Sequence, residues 1–165
     1  MPRRVHIRSS VADVETSAQP HRPRHRHRFP PDVIAAIAAG GALGGVSRYG
    51  IARLLPTPDG RFPWATFIVN VAGSCVLAGL LVLIFERWPP TRYLRPFAAV
   101  GFIGAFTTFS TWIIQTDQLA RDGHVGLAVG YLLGSLLAGL SGSSLGLVVG
   151  RAMAGLRPPS RSTAD

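Results

Sequence analysis

The chain has no lysine, a single cysteine and little charge of any kind: all 17 basic residues are arginine, and charged residues make up 15% of its 165 positions. With Cys75 alone an intrachain disulfide is impossible, and the redox compartment stays open. No Asp, Glu, Lys or His interrupts the stretches Pro63 to Phe85, Pro96 to Thr116 and Val125 to Gly150. The carboxylate or histidine relay of proton-coupled transporters and pumps is therefore missing. There is also no Walker motif, no catalytic His or Cys arrangement and no zinc-ligand pattern, which leaves enzymatic chemistry without a foothold. The N-terminus lacks the form of a signal peptide, because its basic region runs on to Arg28 and no short apolar stretch with a cleavage site follows.

What is present is apolar length. A transmembrane helix needs about 20 mainly apolar residues at about 1.5 Å each, and each of the three charge-free stretches is long enough. A fourth segment, Val33 to Leu55, is apolar except for Arg48 and Arg53 and follows the Pro30-Pro31 break. These lengths exclude a water-soluble domain and predict an all-α membrane protein with spans at about 33–55, 63–86, 96–118 and 125–150. Residues 1–32 read as a disordered Arg/His-rich tail, and 151–165 as a basic C-terminal tail.

The arginines are unevenly placed. Seven lie in the N-terminal tail, Arg87, Arg92 and Arg95 between the second and third spans, and Arg151, Arg157 and Arg161 after the fourth. If four helices alternate in direction, these share one side, and the other keeps Arg53, Arg61 and Arg121. An inner (plasma) membrane location is expected, and the positive-inside rule then places both termini in the cytoplasm. The run from His21 to Arg28 lacks interleaved aromatics and a metal-site scaffold, so it reads as a topology anchor or a contact for anionic lipid, not as a nucleic-acid site.

Inside the spans, polar groups are few and neutral. Asn70 and Ser74 are four apart in the second span, as are Tyr131 and Ser135 in the fourth, so each pair shares a helix face. Such groups must face protein or water, either as interhelical glue or along an ion path. Gly40 and Gly44, Gly41 and Gly45, and the series Gly126, Gly130, Gly134 leave smooth faces for close helix contact. Four short helices enclose little, which predicts a larger assembly.

The third span reads Gly101-Phe102-Ile103-Gly104-Ala105-Phe106-Thr107-Thr108-Phe109-Ser110-Thr111-Trp112. Glycines and clustered hydroxyl residues weaken a helix there, predicting a break that frees carbonyls at one end and N–H groups at the other. Broken helices of this kind form ion sites. Gly104 and Thr107 are expected to expose their carbonyls. Phe109 and Trp112, three apart, share a face; they are either ordinary packing or rings whose positive edges face an anion.

The chain resembles the fluoride channel family (Fluc, also called CrcB) across residues 33–150. The resemblance rests on Gly40-Gly41 through Gly44 to Arg48-Tyr49, on Asn70 with Gly73-Ser74, on the third-span string through Thr107-Thr108-Phe109-Ser110-Thr111, and on Tyr131 with Gly134-Ser135. It implies a passive, fluoride-specific channel that exports the ion and limits its toxicity, built as an antiparallel, dual-topology dimer of four-helix subunits with a broken third helix. It also implies a structural sodium ion between the third helices, held by the carbonyls of Gly104 and Thr107. The implied pore residues are Asn70, Thr108, Phe109, Ser110, Trp112, Tyr131 and Ser135. Arg48 matches a first-helix arginine that caps a helix or draws anions into a vestibule. Trp112 departs from the family, which usually has Phe there; the larger ring with its N–H donor either narrows the pore or adds a hydrogen bond.

Two other readings are weighed beside this one. A small four-helix multidrug exporter requires an acidic residue in the first span, and Val33 to Leu55 has none. A non-transporting membrane assembly subunit would account for the glycine faces but not for the Thr-Thr-Phe-Ser-Thr string. The arginine bias bears on the dimer, because an antiparallel pair made from one chain needs that chain to insert both ways. Pairing with itself is possible in principle, but the bias favours an oppositely oriented homologue. Expressed alone, the chain is expected to insert in one direction and transport nothing; a stable antiparallel homodimer that conducts fluoride would sink this expectation.

Overall fold

The computed structural model describes residues 30–87 and 91–155, so most of the N-terminal tail and residues 156–165 lie outside it. The described residues are helical, with four segments long and apolar enough to cross a membrane: Pro31–Leu54, Trp64–Glu86, Arg95–Arg121 and Val125–Met153. We label Pro31–Leu54 α1 and Trp64–Glu86 α2. The third segment comprises a π-helical stretch Arg95–Ile103, a single turn α3 (Gly104–Phe106) and α4 (Phe109–Arg121). The fourth is α5 (Val125–Met153).

The ends follow from local chemistry. Pro31 opens α1 where its missing N–H costs nothing, and Asp32 places a carboxylate in the first turn, favourable to the helix dipole. Gly60 (φ 68°) and Gly123 (φ 83°) adopt the left-handed conformation in the two turns at one end of the bundle, where a side chain on Gly60 would run into the His124 ring. At the opposite end, the Arg92 guanidinium donates to Asp32 Oδ1 at 2.9 Å and the Tyr93 hydroxyl to Oδ2 at 2.7 Å. The Asp32 carboxylate holds the Tyr93 phenol above its ordinary pKa. Arg92 also lies 5.7 Å from the Tyr93 ring centroid. Thus the start of α1 and the approach to the third segment share one end, as alternating helices require.

Packing is organised in two close pairs. α1 lies against the π-helical stretch, and α2 against α5, with α4 leaning on α5. Between helices in a membrane there is little hydrophobic drive, so contact depends on how near the backbones come. A Cβ on Gly40 would strike the carbonyl of Phe97, and one on Gly44 that of Phe102. In the second pair Gly142, Gly146 and Gly150 do the same work. A Cβ on Gly142 would lie 3.0 Å from Val71 O, one on Gly150 2.9 Å from Gly79 O, and one on Gly146 would strike Cys75 O.

Within one subunit the glycine faces are used unequally. Gly40 and Gly44 do pack closely, but Gly45, Gly126, Gly130 and Gly134 have nothing within 4 Å of a built Cβ, and Gly41 only Gly101 O at 3.9 Å. The intimate contacts of α5 lie further along the helix. Gly146→Ala is expected to force α2 and α5 apart and cost about 1–3 kcal/mol, whereas Gly130→Ala leaves the monomer unchanged or slightly more stable. Thermal unfolding in detergent distinguishes the two; equal midpoints would contradict this packing.

Candidate functional site

At residues 107 and 108 the third segment leaves helical geometry: Thr107 has φ −80°, ψ 160° and Thr108 φ −150°, ψ 120°, both extended. Two side chains hold this shape. Asn70, on α2, donates from Nδ2 to the Thr108 carbonyl at 2.9 Å and accepts the Thr108 N–H at Oδ1 at 2.8 Å. The amide thus satisfies both backbone groups of the displaced residue, which a membrane interior would otherwise leave without partners. Thr108 in turn caps α4: its Oγ1 accepts the Thr111 N–H at 3.2 Å and donates to Thr111 Oγ1 at 2.9 Å.

These bonds determine which carbonyls are open. In an uninterrupted helix the Thr108 N–H would bond Gly104 O, and the Thr111 N–H would bond Thr107 O. Both donors are diverted, the first to Asn70 and the second to the Thr108 hydroxyl. The carbonyls of Gly104 and Thr107 thereby lose their helical partners. Thr107 Oγ1 turns back to donate to Ile103 O at 3.0 Å, and the Thr107 methyl sits where a side chain on Gly73 would be. Gly104 itself is exposed, with open space where a Cβ would stand.

On one side of Thr108 lies a groove of about 340 Å³ whose lining includes Asn70, Ser74, Phe109, Trp112, Ser135 and Ser143. Phe109 meets Trp112 edge to face, with ring centroids 5.3 Å apart at 71°. On the other side lies a cavity of about 430 Å³ shared by Arg48, Tyr49, Thr66, Thr108, Thr111 and Gln115. Arg48 is the charged residue of that lining and has no acidic partner among the described residues. It lies before the last turn of α1, where Arg53 is the basic residue instead.

The structure thus brings Asn70, Thr107, Thr108, Phe109, Trp112 and Ser135 together around one groove, with Gly104 at the same interruption and Arg48 at the neighbouring cavity. Ser110 is exposed, its hydroxyl 3.5 Å from Thr108 Oγ1. Tyr131 stands apart: it is fully buried in a cluster with Leu119 and Ala128, and its hydroxyl donates to Gln115 Oε1 at 3.0 Å. Sequence reasoning left Thr111, Gln115 and Ser143 out of the site. Their i+3 and i+4 spacing from Thr108 and Thr111 on α4 is the signal that could have drawn in the first two. Among the described residues, no group of three His, Cys, Asp or Glu side chains is placed to hold a metal.

Residues 35–147 match the family described as "CrcB-like protein, Camphor Resistance (CrcB)". The chain is similar to "Fluoride-specific ion channel FluC 3" of Streptomyces avermitilis, with 56% identity over 126 residues, covering 76% of this chain and 62% of that one. It therefore spans less than two thirds of that relative. It is also similar to "Fluoride-specific ion channel FluC 2" of Nocardia farcinica, 49% identical over 116 residues (70% of this chain, 83% of that one). "Fluoride-specific ion channel FluC" of Magnetococcus marinus is 42% identical over 119 residues, covering 72% of this chain and 97% of its own length.

Removing the Asn70 amide tests the geometry directly. Asn70→Leu, similar in volume, is expected to destabilise the protein by about 1–3 kcal/mol, since both backbone groups of Thr108 lose their partners. An unfolding midpoint equal to that of wild type would mean that the amide does not hold the interruption.

Proposed function

Because this chain belongs to the CrcB-like protein family, we propose that it is a fluoride-specific ion channel, releasing fluoride passively from the cytoplasm and so reducing its toxicity. One observation carries the reading at the level of residues: the Asn70 amide opens the third segment and leaves a neutral, donor-lined groove beside it. Fluoride is a small anion and a strong hydrogen-bond acceptor. It needs donors in place of its water, but too strong a site would trap it.

The side chains supply such donors without a full charge. Arg48, unpaired at the cavity, raises the local concentration of anions. Thr108, whose own hydroxyl proton goes to Thr111, positions the donors: the Thr111 and Ser110 hydroxyls and the first N–H groups of α4 offer protons around the interruption, and Phe109 and Trp112 offer ring edges in the groove. Ser135 continues the polar lining on α5, while Tyr131 fixes the α4–α5 contact beside it.

The open carbonyls of Gly104 and Thr107 suit a sodium ion, a hard cation that takes oxygen ligands. Two carbonyls are too few for one cation, and Gly104 faces outward, so the site fits a dimer in which each subunit contributes a pair. When bound there, sodium would supply a fixed positive charge joining the subunits. The dimer is antiparallel, with an oppositely oriented homologue favoured by the arginine bias. Both termini of this chain face the cytoplasm in the plasma membrane.

The drug-exporter reading lacks its proton-exchanging acid, for the nearest carboxylate, Asp32, is engaged by Arg92 and Tyr93 at the end of α1. Liposomes loaded with fluoride and sodium, containing the chain with and without an oppositely biased homologue, test the proposal. Efflux is expected to be selective for fluoride over chloride and to fall when N-methylglucamine replaces sodium. Absence of efflux from both preparations overturns the channel reading.

A further inference from the structure

Two buried side-chain polar atoms have no hydrogen-bond partner among the described residues, Trp112 Nε1 and Ser135 Oγ, and both residues line the groove beside Asn70. A buried donor without a partner is costly, so two of them at one groove call for an explanation. Three other polar side chains of this groove are engaged: Asn70 on Thr108, Thr108 on Thr111 and Thr107 on Ile103. Ser135 is 9% exposed, and the indole is braced by the Tyr131 cluster on one side and the Phe109 ring on the other. Packing thus fixes the donors, while Phe109, 72% exposed, is the ring with room to turn and admit an ion.

We infer that the indole N–H of Trp112 is a hydrogen-bond donor to the permeating halide, working with the Ser135 hydroxyl, so that this chain binds fluoride through a donor and not through a ring edge alone. The inference rests on the channel reading for the identity of the anion. On this inference the larger ring adds a contact. Fluoride gains more from it than chloride, since a compact anion is the better acceptor.

The test uses full-length protein labelled with ¹⁵N at the indoles, in the preparation that conducts, with sodium fluoride replacing sodium chloride at constant ionic strength. The Trp112 signal is the one lost in Trp112→Phe. It is expected to shift with fluoride and saturate, while the signals of the other two tryptophans stay in place. In parallel, benzothienylalanine at position 112, which keeps the bicyclic shape and lacks the N–H, should raise the half-saturating fluoride concentration for efflux about tenfold, the worth of one hydrogen bond to an ion. An indole signal indifferent to fluoride, or a benzothienylalanine protein that saturates like wild type, overturns the inference. If no preparation conducts, the channel reading falls, and the titration of the chain by itself still decides the contact.

Discussion

The pair of hydrogen bonds between the Asn70 amide and the Thr108 backbone is the constraint on which the rest of the site depends. A helix interrupted in hydrocarbon exposes N–H and C=O groups that no water can satisfy, and each costs several kcal/mol if left alone. Asparagine suits the position because its side chain carries one donor face and one acceptor face on a plane, matching a single extended residue. An Asp would accept but not donate, and a Ser is too short to do both. The position of Asn70 on α2 matters equally, since Gly73 one turn away leaves the room that the Thr107 methyl occupies.

That interruption needs a rigid frame, which the apolar side chains do not provide by burial. Many large ones point outward, such as Leu137 at 64% and Val148 at 65% exposure. Rigidity comes from backbone contact: Gly40 and Gly44 against the π-helical stretch, Gly142, Gly146 and Gly150 against α2. The π-helical stretch is the element that α1 grips, so the carbonyl end of the third segment is fixed from one side and Thr108 from the other. A small helix bundle can thereby hold two unpartnered carbonyls without an enclosing core.

How much of this could be read from the residues differs by level. The four spans follow from length and hydropathy, and their ends were displaced by only a few residues: α1 begins at Pro31 and α5 runs to Met153. Thr107 and Thr108 stood out because glycine and hydroxyl residues cluster there. The glycine series on α5 marks a smooth face without saying what meets it: within one subunit Gly126 to Gly134 face outward, and the later turns make the contact. Tyr131 shared a face with Ser135 by spacing, yet a large ring at the Gln115 level fills the interior, and only the smaller Ser135 reaches the groove. The π-helical winding of Arg95–Ile103, the stretch that α1 packs against, was not read from the residues.

If the chain is a channel of the proposed kind, one interruption would serve ions of both signs in a chain with so little charge. The piece ending at Phe106 presents carbonyl oxygens, and α4, starting at Phe109, presents N–H groups, so the two helix ends meet with opposite partial charges across two residues. On the proposed reading the cation takes the first and the anion passes the second. The neighbouring opposite charge eases each ion's loss of water, and no formal charge need be buried. Neutral donors are individually weak, about 1 kcal/mol each, so they work only when several converge and hold their places. The tight glycine contacts, the Asn70 amide and the packed indole of Trp112 are thus parts of a single requirement: rigidity stands in for charge.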